Sequence, residues 1–367
     1  MRVTRLRLRD FRSYVAAELA LGPGLTVVHG RNGAGKTNLL EGLYFGLTGR
    51  SCRTTNEREV VAFGASAARV EVEVEGPDGV HELAVGFQPG EPKRLSADGM
   101  RVERMADVDD RPLVSVFLPD RLELVKGAPA LRRAHLDQVV AAAWPSRAAT
   151  RRGYTQALAQ RNALIARVRA GRSSRSALPA WDAELARHGI ALRDDRAAAT
   201  DLVRERFTAT AAELGLAGAA TVAYRPRSSA ASAEEFTAEL AERTDSDLER
   251  GFTGHGPHRD DLALKRDGRD LRSYGSQGEQ RLALLALLLA ERAALGEARG
   301  REPLVLLDDV MSELDADRRA RLVEQLDDGG QAVITTTDLA HVPGGTGAAV
   351  TRVGVVDGAV VQEALAA

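Results

Sequence analysis

Gly30-Arg31-Asn32-Gly33-Ala34-Gly35-Lys36-Thr37 places glycines at its first and sixth positions and ends on a lysine and a hydroxyl. That spacing, G-x-x-x-x-G-K-T, bends the backbone so that successive N–H groups face one concavity able to cradle a β-phosphate. Lys36 then reaches the β- and γ-phosphates of a nucleotide, and Thr37 a Mg²⁺ ion. Far downstream, Leu304-Val305-Leu306-Leu307-Asp308-Asp309 is an apolar run ending in two acids. Asp308 is the expected metal partner, and Asp309 is placed to orient or deprotonate an attacking water in phosphoryl transfer. Between these runs, Ser276-Gln277-Gly278-Glu279 opens a helical pattern. Its first residue and Glu279 read equally as a capping box and as an anion site at a helix start.

These groups need rigid elements to hold them. Leu25 to His29 reads as a short buried strand feeding the loop, and Asn38 to Gly46 as the helix leaving it. From Met1 to about Pro119 the pattern is mostly strand-like, with strict alternation at Arg69 to Val74 and a hairpin turn at Asp98-Gly99. From 121 to 250 the composition turns to alanine, leucine, arginine and glutamate at helical spacing, broken near Gly171 to Arg175 and at Leu178-Pro179. Strand patterns return at Asp261 to Lys265, Pro303 to Leu307 and Gln331 to Thr335, with a long helix over Gln277 to Leu295. The expected fold is α/β: a P-loop ATPase core split into 1–120 and 251–367. An α-helical domain is inserted at 121–250.

Composition excludes several classes. With 367 residues and 44% hydrophobic content the chain can bury a large core, but no apolar run reaches the roughly 20 residues a spanning helix needs. The N-terminus alternates charge with apolar residues, unlike a signal peptide, and one cysteine permits neither an internal disulfide nor a multi-cysteine metal site. A cytoplasmic, reducing setting is expected. A net charge of −2 means that any nucleic acid must be met by a local patch. Aromatic residues make up 4% of the chain, too few to supply a base-stacking platform.

The order of phosphate loop, Ser-x-Gly-Glu, acid-ended strand and Ser312-Glu313-Leu314-Asp315 resembles the motif series of ATP-binding-cassette ATPases. Further segments narrow the likeness: Phe11-Arg12-Ser13-Tyr14, Phe117-Leu118-Pro119-Asp120, Gln160-Arg161-Asn162, Trp181-Asp182 and Gly256-Pro257-His258-Arg259-Asp260-Asp261. Together they resemble, over nearly the whole chain, the RecF family of bacterial recombination mediators, SMC-like DNA-binding ATPases. The resemblance implies an ABC-type P-loop ATPase head with a mixed sheet and an antiparallel β subdomain, and an ATP-dependent homodimer in which Ser276 and Gly278 of one copy meet the ATP held by the other. It also implies nucleotide contacts from Arg12, Asn32 and Asp315, and RecR, RecO and RecA as partners in replication, recombinational repair and the SOS response at the nucleoid. Two departures stand out: Asp309 replaces the usual glutamate, so slow hydrolysis is expected, and Thr335-Thr336-Thr337-Asp338 offers hydroxyls, Thr337 among them, where a histidine is usual. A transporter-associated cassette subunit would not carry the helical insert, and a chromosomal SMC protein would carry a long coiled coil there.

DNA is expected to be bound through its backbone, as duplex, gap or junction, with strong salt dependence. Arg132-Arg133, Arg147, Arg151-Arg152, Arg161, Arg167, Arg169, Arg172 and Arg175 are the candidate phosphate contacts on the insert. His255, His258, Asp260 and Asp261 are weighed as a metal cluster against a turn entering a strand, and the turn is favoured.

Overall fold

The computed structural model of the chain describes residues 1–108, 111–327 and 330–365. In chain order its elements are β1 (Arg2–Phe11), β2 (Tyr14–Ala20), β3 (Leu25–His29), α1 (Lys36–Thr48), β4 (Ala68–Gly76), β5 (Gly79–Phe87), β6 (Arg94–Ala97), β7 (Met100–Val102) and β8 (Val114–Phe117). There follow α2 (Glu123–Lys126), α3 (Pro129–Ala143), α4 (Ala148–Arg169), α5 (Leu178–Glu213), β9 (Ala220–Arg225), α6 (Ala233–Glu242), α7 (Thr244–Arg250), β10 (Asp261–Arg266), β11 (Arg269–Asp270) and α8 (Leu271–Tyr274). The chain closes with α9 (Gln277–Arg299), β12 (Leu304–Leu307), α10 (Ala316–Asp327), β13 (Ala332–Thr336), β14 (Thr351–Val356) and β15 (Ala359–Ala364). Two compact units result, Met1–Arg121 with Leu295–Ala367, and Leu122–Ala294.

The first unit holds two six-stranded sheets, one in the order β2-β1-β4-β5-β6-β7 and one in the order β15-β14-β3-β13-β12-β8. In the antiparallel sheet, Val3, Leu6 and Leu8 of β1 point inward with Val70, Val72 and Val74 of β4. The opposite face is a charge ladder, with Arg5 on Glu18 and Arg7 on Glu73. Alternation of this kind marks a strand buried on one face only. The second sheet is parallel from β14 through β8, and its central strands read as unbroken apolar runs because both faces are covered. β3, β13 and β12 therefore end at one edge, where ligands of open parallel sheets usually lie.

The second unit is mainly helical. α4 and α5 pack together, and Tyr154, Leu185, Phe236 and Leu240 form one of its cores. The break expected near 171–179 falls between these helices, with a proline in the first turn of α5. This unit also takes in β10, which composition alone groups with the returning strands. The reason is pairing, since β10 lies antiparallel to β9 along its whole length. At its centre Arg161 is fully buried. Its Nε and Nη1 each donate at 2.6 Å, to Asp182 and Asp247, and Nη1 also reaches the Thr253 hydroxyl. Among the described residues no helix is long and apolar enough to cross a membrane.

Candidate nucleotide site

The run from Gly30 to Thr37 leaves β3 and enters α1 at Lys36. Gly30 has φ +155°, and a Cβ there would run into the Val355 carbonyl of β14. Gly35, at φ +113°, passes under the ring of Tyr14, whose hydroxyl donates to the Gly35 carbonyl at 3.1 Å. Both positions thus exclude a side chain, on backbone conformation and on space. The hairpin joining β14 and β15 also touches the loop, the Gly358 N–H donating to the Ala34 carbonyl at 3.2 Å.

Lys36 is buried and donates to the carbonyls of Gly30 at 2.7 Å and Arg31 at 3.0 Å. Burial lowers its pKa, while Asp309 and Asp308 pull it back up. The Thr37 hydroxyl lies 3.0 and 2.9 Å from the two carboxylate oxygens of Asp308. The loop and the end of β12, distant in sequence, therefore meet as their motifs require.

Between them stands Thr335, one of the hydroxyls in the stretch where a histidine is usual, whose bonds to the acids motif spacing does not reveal. β13 lies between β3 and β12, so its last residues fall beside both acids. The fully buried Thr335 hydroxyl donates to Asp308 Oδ1 at 2.7 Å and accepts the Asp309 N–H at 2.9 Å. Asp309 has φ +49°, and its Oδ1 is buried with no hydrogen-bond partner. That oxygen is thus uncommitted. Thr337, one residue past β13, makes no side-chain hydrogen bond among the described residues and is half-buried.

Arg12 is tied behind the loop, its Nε and Nη2 donating to the two Glu41 oxygens at 2.8 and 2.7 Å and its Nη1 to the Glu59 carbonyl. Glu41 is fully buried and also takes bonds from Ser51 and Arg53. Glu41 and Tyr14 are further supports that the motif did not disclose. Arg31, Asn32 and Gly33 form the exposed crest of the loop. Asp315 is exposed and caps α10 by accepting the Arg318 N–H at 2.9 Å.

Ser276 and Glu279 form the reciprocal capping box, with Glu279 Oε2 accepting the Ser276 N–H at 2.8 Å and Ser276 Oγ the Glu279 N–H at 3.3 Å. Ser276 and Gly278 are both exposed, and nothing lies within 4 Å of a Cβ placed on Gly278.

Two of the arginines expected to meet DNA do not face outward, and three exposed ones are already paired with acids. Arg132 is buried and bonded to Asp261 at 2.6 Å, and Arg161 forms the buried centre of the second unit. Arg147, Arg151 and Arg175 are paired with Asp195, Asp137 and Asp245. The His-Asp segment is likewise explained without metal. His255 pairs with Glu239, His258 bonds Tyr154 and the Thr253 carbonyl, and Asp260 accepts from Tyr224 and the Arg227 N–H.

Residues 2–354 match the family model of the RecF/RecN/SMC N-terminal domain. A DNA replication and repair protein RecF of Anaeromyxobacter sp. (strain Fw109-5) is 39% identical over 348 residues, covering 92% of this chain and 93% of that one. The chain belongs to the RecF family. A RecF of Frankia alni is 37% identical over 361 residues, covering 94% and 95% of the two chains. Among solved structures, the recombination mediator protein RecF with ATP, in the RecFOR pathway, superposes with TM-score 0.88 at 26% identity over 99% of this chain and 97% of that one. An SMC head bound to the C-terminal winged-helix domain of ScpA shares the fold at TM-score 0.60 and 18% identity, over 100% and 98% of the two chains. The RecF fold is thus an ABC-type ATPase head of mixed and antiparallel sheets carrying a helical unit.

Proposed function

We propose that this RecF-family chain binds ATP in the Gly30–Thr37 loop, dimerises on it around DNA, and acts in replication and recombinational repair by helping to load a RecA-type recombinase at single-strand gaps. The observation that carries this reading is the meeting of Lys36, Thr37 and Asp308, together with the ATP-bound RecF to which the fold is similar. Residues 1–120 and 251–367 act as the ATPase domain and 121–250 as its insert. RecR and RecO are the proposed partners.

Lys36 exchanges its two carbonyl bonds for phosphate oxygens when ATP enters. The Thr37 hydroxyl and the Asp308 carboxylate are hard oxygen donors side by side, and they suit Mg²⁺, which would neutralise phosphate charge when bound. The uncommitted Asp309 Oδ1 orients water against the γ-phosphate. The exposed Ser276 and Gly278 of a second copy complete each site, so the γ-phosphate stabilises the dimer and its hydrolysis releases it.

Asp309 also favours a second reading, a clamp with negligible turnover. An aspartate is one methylene shorter than the usual glutamate, and it starts from a left-handed backbone. Sedimentation of the wild type and of Lys36→Ala and Ser276→Arg, with and without ATP and Mg²⁺, tests the central claim. ATP should dimerise the wild type alone; ATP binding without dimerisation would sink the mechanism. Asp309→Asn separates the two readings, since DNA-bound dimers that persist without hydrolysis favour the clamp.

A further inference from the structure

The nucleotide chemistry leaves one group of cations without a task. In the second unit, the ends of β9 and α6, α7 and the turn after it surround a hollow of about 280 Å³. Arg227, Arg243 and Arg250 line it, all three exposed, and none makes an ion pair or a side-chain hydrogen bond among the described residues. The acids nearby are mostly spent. Asp247 holds Arg161 through Oδ2 at 2.6 Å and the Gly254 N–H through Oδ1 at 2.9 Å. Glu239 is occupied by His255 and by the Ser228 hydroxyl, each at 2.6 Å, which fixes the His255 ring in the wall. Among the described residues Glu242 is the lining acid without a hydrogen bond or ion pair, and Glu239 also acts on Arg243.

Three arginines sharing one hollow repel one another, and a bound anion converts that repulsion into attraction. Guanidinium forks match phosphate oxygens two at a time. We infer that this hollow binds a phosphate group, and that the group belongs to a nucleic-acid backbone.

Two observations favour a backbone over a small phosphorylated molecule. The lining is polar throughout, with no aromatic or aliphatic wall against which a base or an acyl group could be buried. The cations also continue past the hollow. Arg169 lies in the space a Cβ on Gly251 would need, and the Arg259 guanidinium sits 5.3 Å over the ring of Phe252. A single small anion would leave that extension unmatched, whereas successive backbone phosphates would follow it. No group here reads base edges, so the binding is independent of sequence. This inference deepens the DNA-binding reading and rests on it. It also relocates the contact away from Arg132 and Arg161, which are buried.

The test uses the full chain and the double variant Arg243→Ala/Arg250→Ala, with thermal unfolding to show that both remain folded. Anisotropy of a labelled short duplex across a salt series should give about tenfold weaker binding in the double variant. The slope of log K against log salt should fall by about two, equally for unrelated sequences. ATP binding and ATP-driven sedimentation should not change, which separates this site from the nucleotide mechanism. Equilibrium dialysis with radiolabelled inorganic phosphate forms a second arm. Phosphate captured by the wild type but not by the variant, with duplex binding equal in both, overturns the backbone source in favour of a free phosphorylated ligand. Unchanged duplex affinity and slope with no difference in phosphate capture overturns the site altogether. A wild type that binds no duplex at all defeats the proposed function and the backbone source together.

Discussion

Thr335→Val preserves the shape of a fully buried side chain and removes one hydroxyl. Two bonds go with it: a charge-assisted donation to Asp308 at 2.7 Å and acceptance of the Asp309 N–H at 2.9 Å. The first is worth about 1.5–3 kcal/mol, and a buried N–H left without an acceptor costs about 1–3 kcal/mol. Allowing for partial relaxation, a loss of about 3 kcal/mol is expected in urea unfolding of the nucleotide-free protein. Thr37 still faces both oxygens of Asp308, so ATP affinity measured by calorimetry should move by no more than about threefold. Hydrolysis, which on the proposed function uses both acids, should slow by about ten- to a hundredfold in single-turnover assays. Thr335→Ser should recover most of both losses. A valine variant within about 0.5 kcal/mol of wild type in stability, with normal turnover, would refute the positioning role.

Arg161→Leu strands Asp182 and Asp247 in the interior and should cost about 3–5 kcal/mol, read from urea or thermal unfolding; a cost under about 1 kcal/mol would show that the buried centre is not ionic. His258 is held down to about 4, first by burial and then by Arg259 and Arg133, against the Thr253 carbonyl and Asp247. The unfolded chain therefore binds the extra proton between about pH 6.5 and 4, so this residue's contribution is complete above pH 6.5 and falls by about 3 kcal/mol as pH drops to 4. His258→Gln should flatten that part of a stability–pH profile, and an unaltered profile would count against the assignment. Gly30→Ala puts a side chain against the Val355 carbonyl and should weaken ATP binding by tenfold or more in calorimetry, whereas wild-type affinity would mean that the loop tolerates displacement.

The parts of the site that rest on short spacing were readable from the chain itself. The phosphate loop, its strand and the acid pair each depend on a few neighbouring residues, so β3 and β12 and their loops lie where periodicity places them. The bonding of Thr335 to both acids was not readable, because it depends on β13 lying between β3 and β12, and strand order is a property of the whole sheet. The arginines were hardest to assign. Nothing local distinguishes Arg161, fully enclosed, from Arg250, fully available, since the difference lies in whether an aspartate from another element arrives beside the guanidinium. β10 was recognisable as a strand, while its pairing with β9 required knowing which distant segment would lie alongside.

Lys36 satisfies itself by bonding the carbonyls of its own loop, so on the proposed function nucleotide entry is an exchange and not a filling. A ligand must offer oxygens far enough along its phosphate chain to reach the ammonium, or the two surrendered bonds go unreplaced. AMP would be too short to make that trade. The lysine would thereby serve as a ruler for polyphosphate length, discriminating among nucleotides before any contact with the base is made.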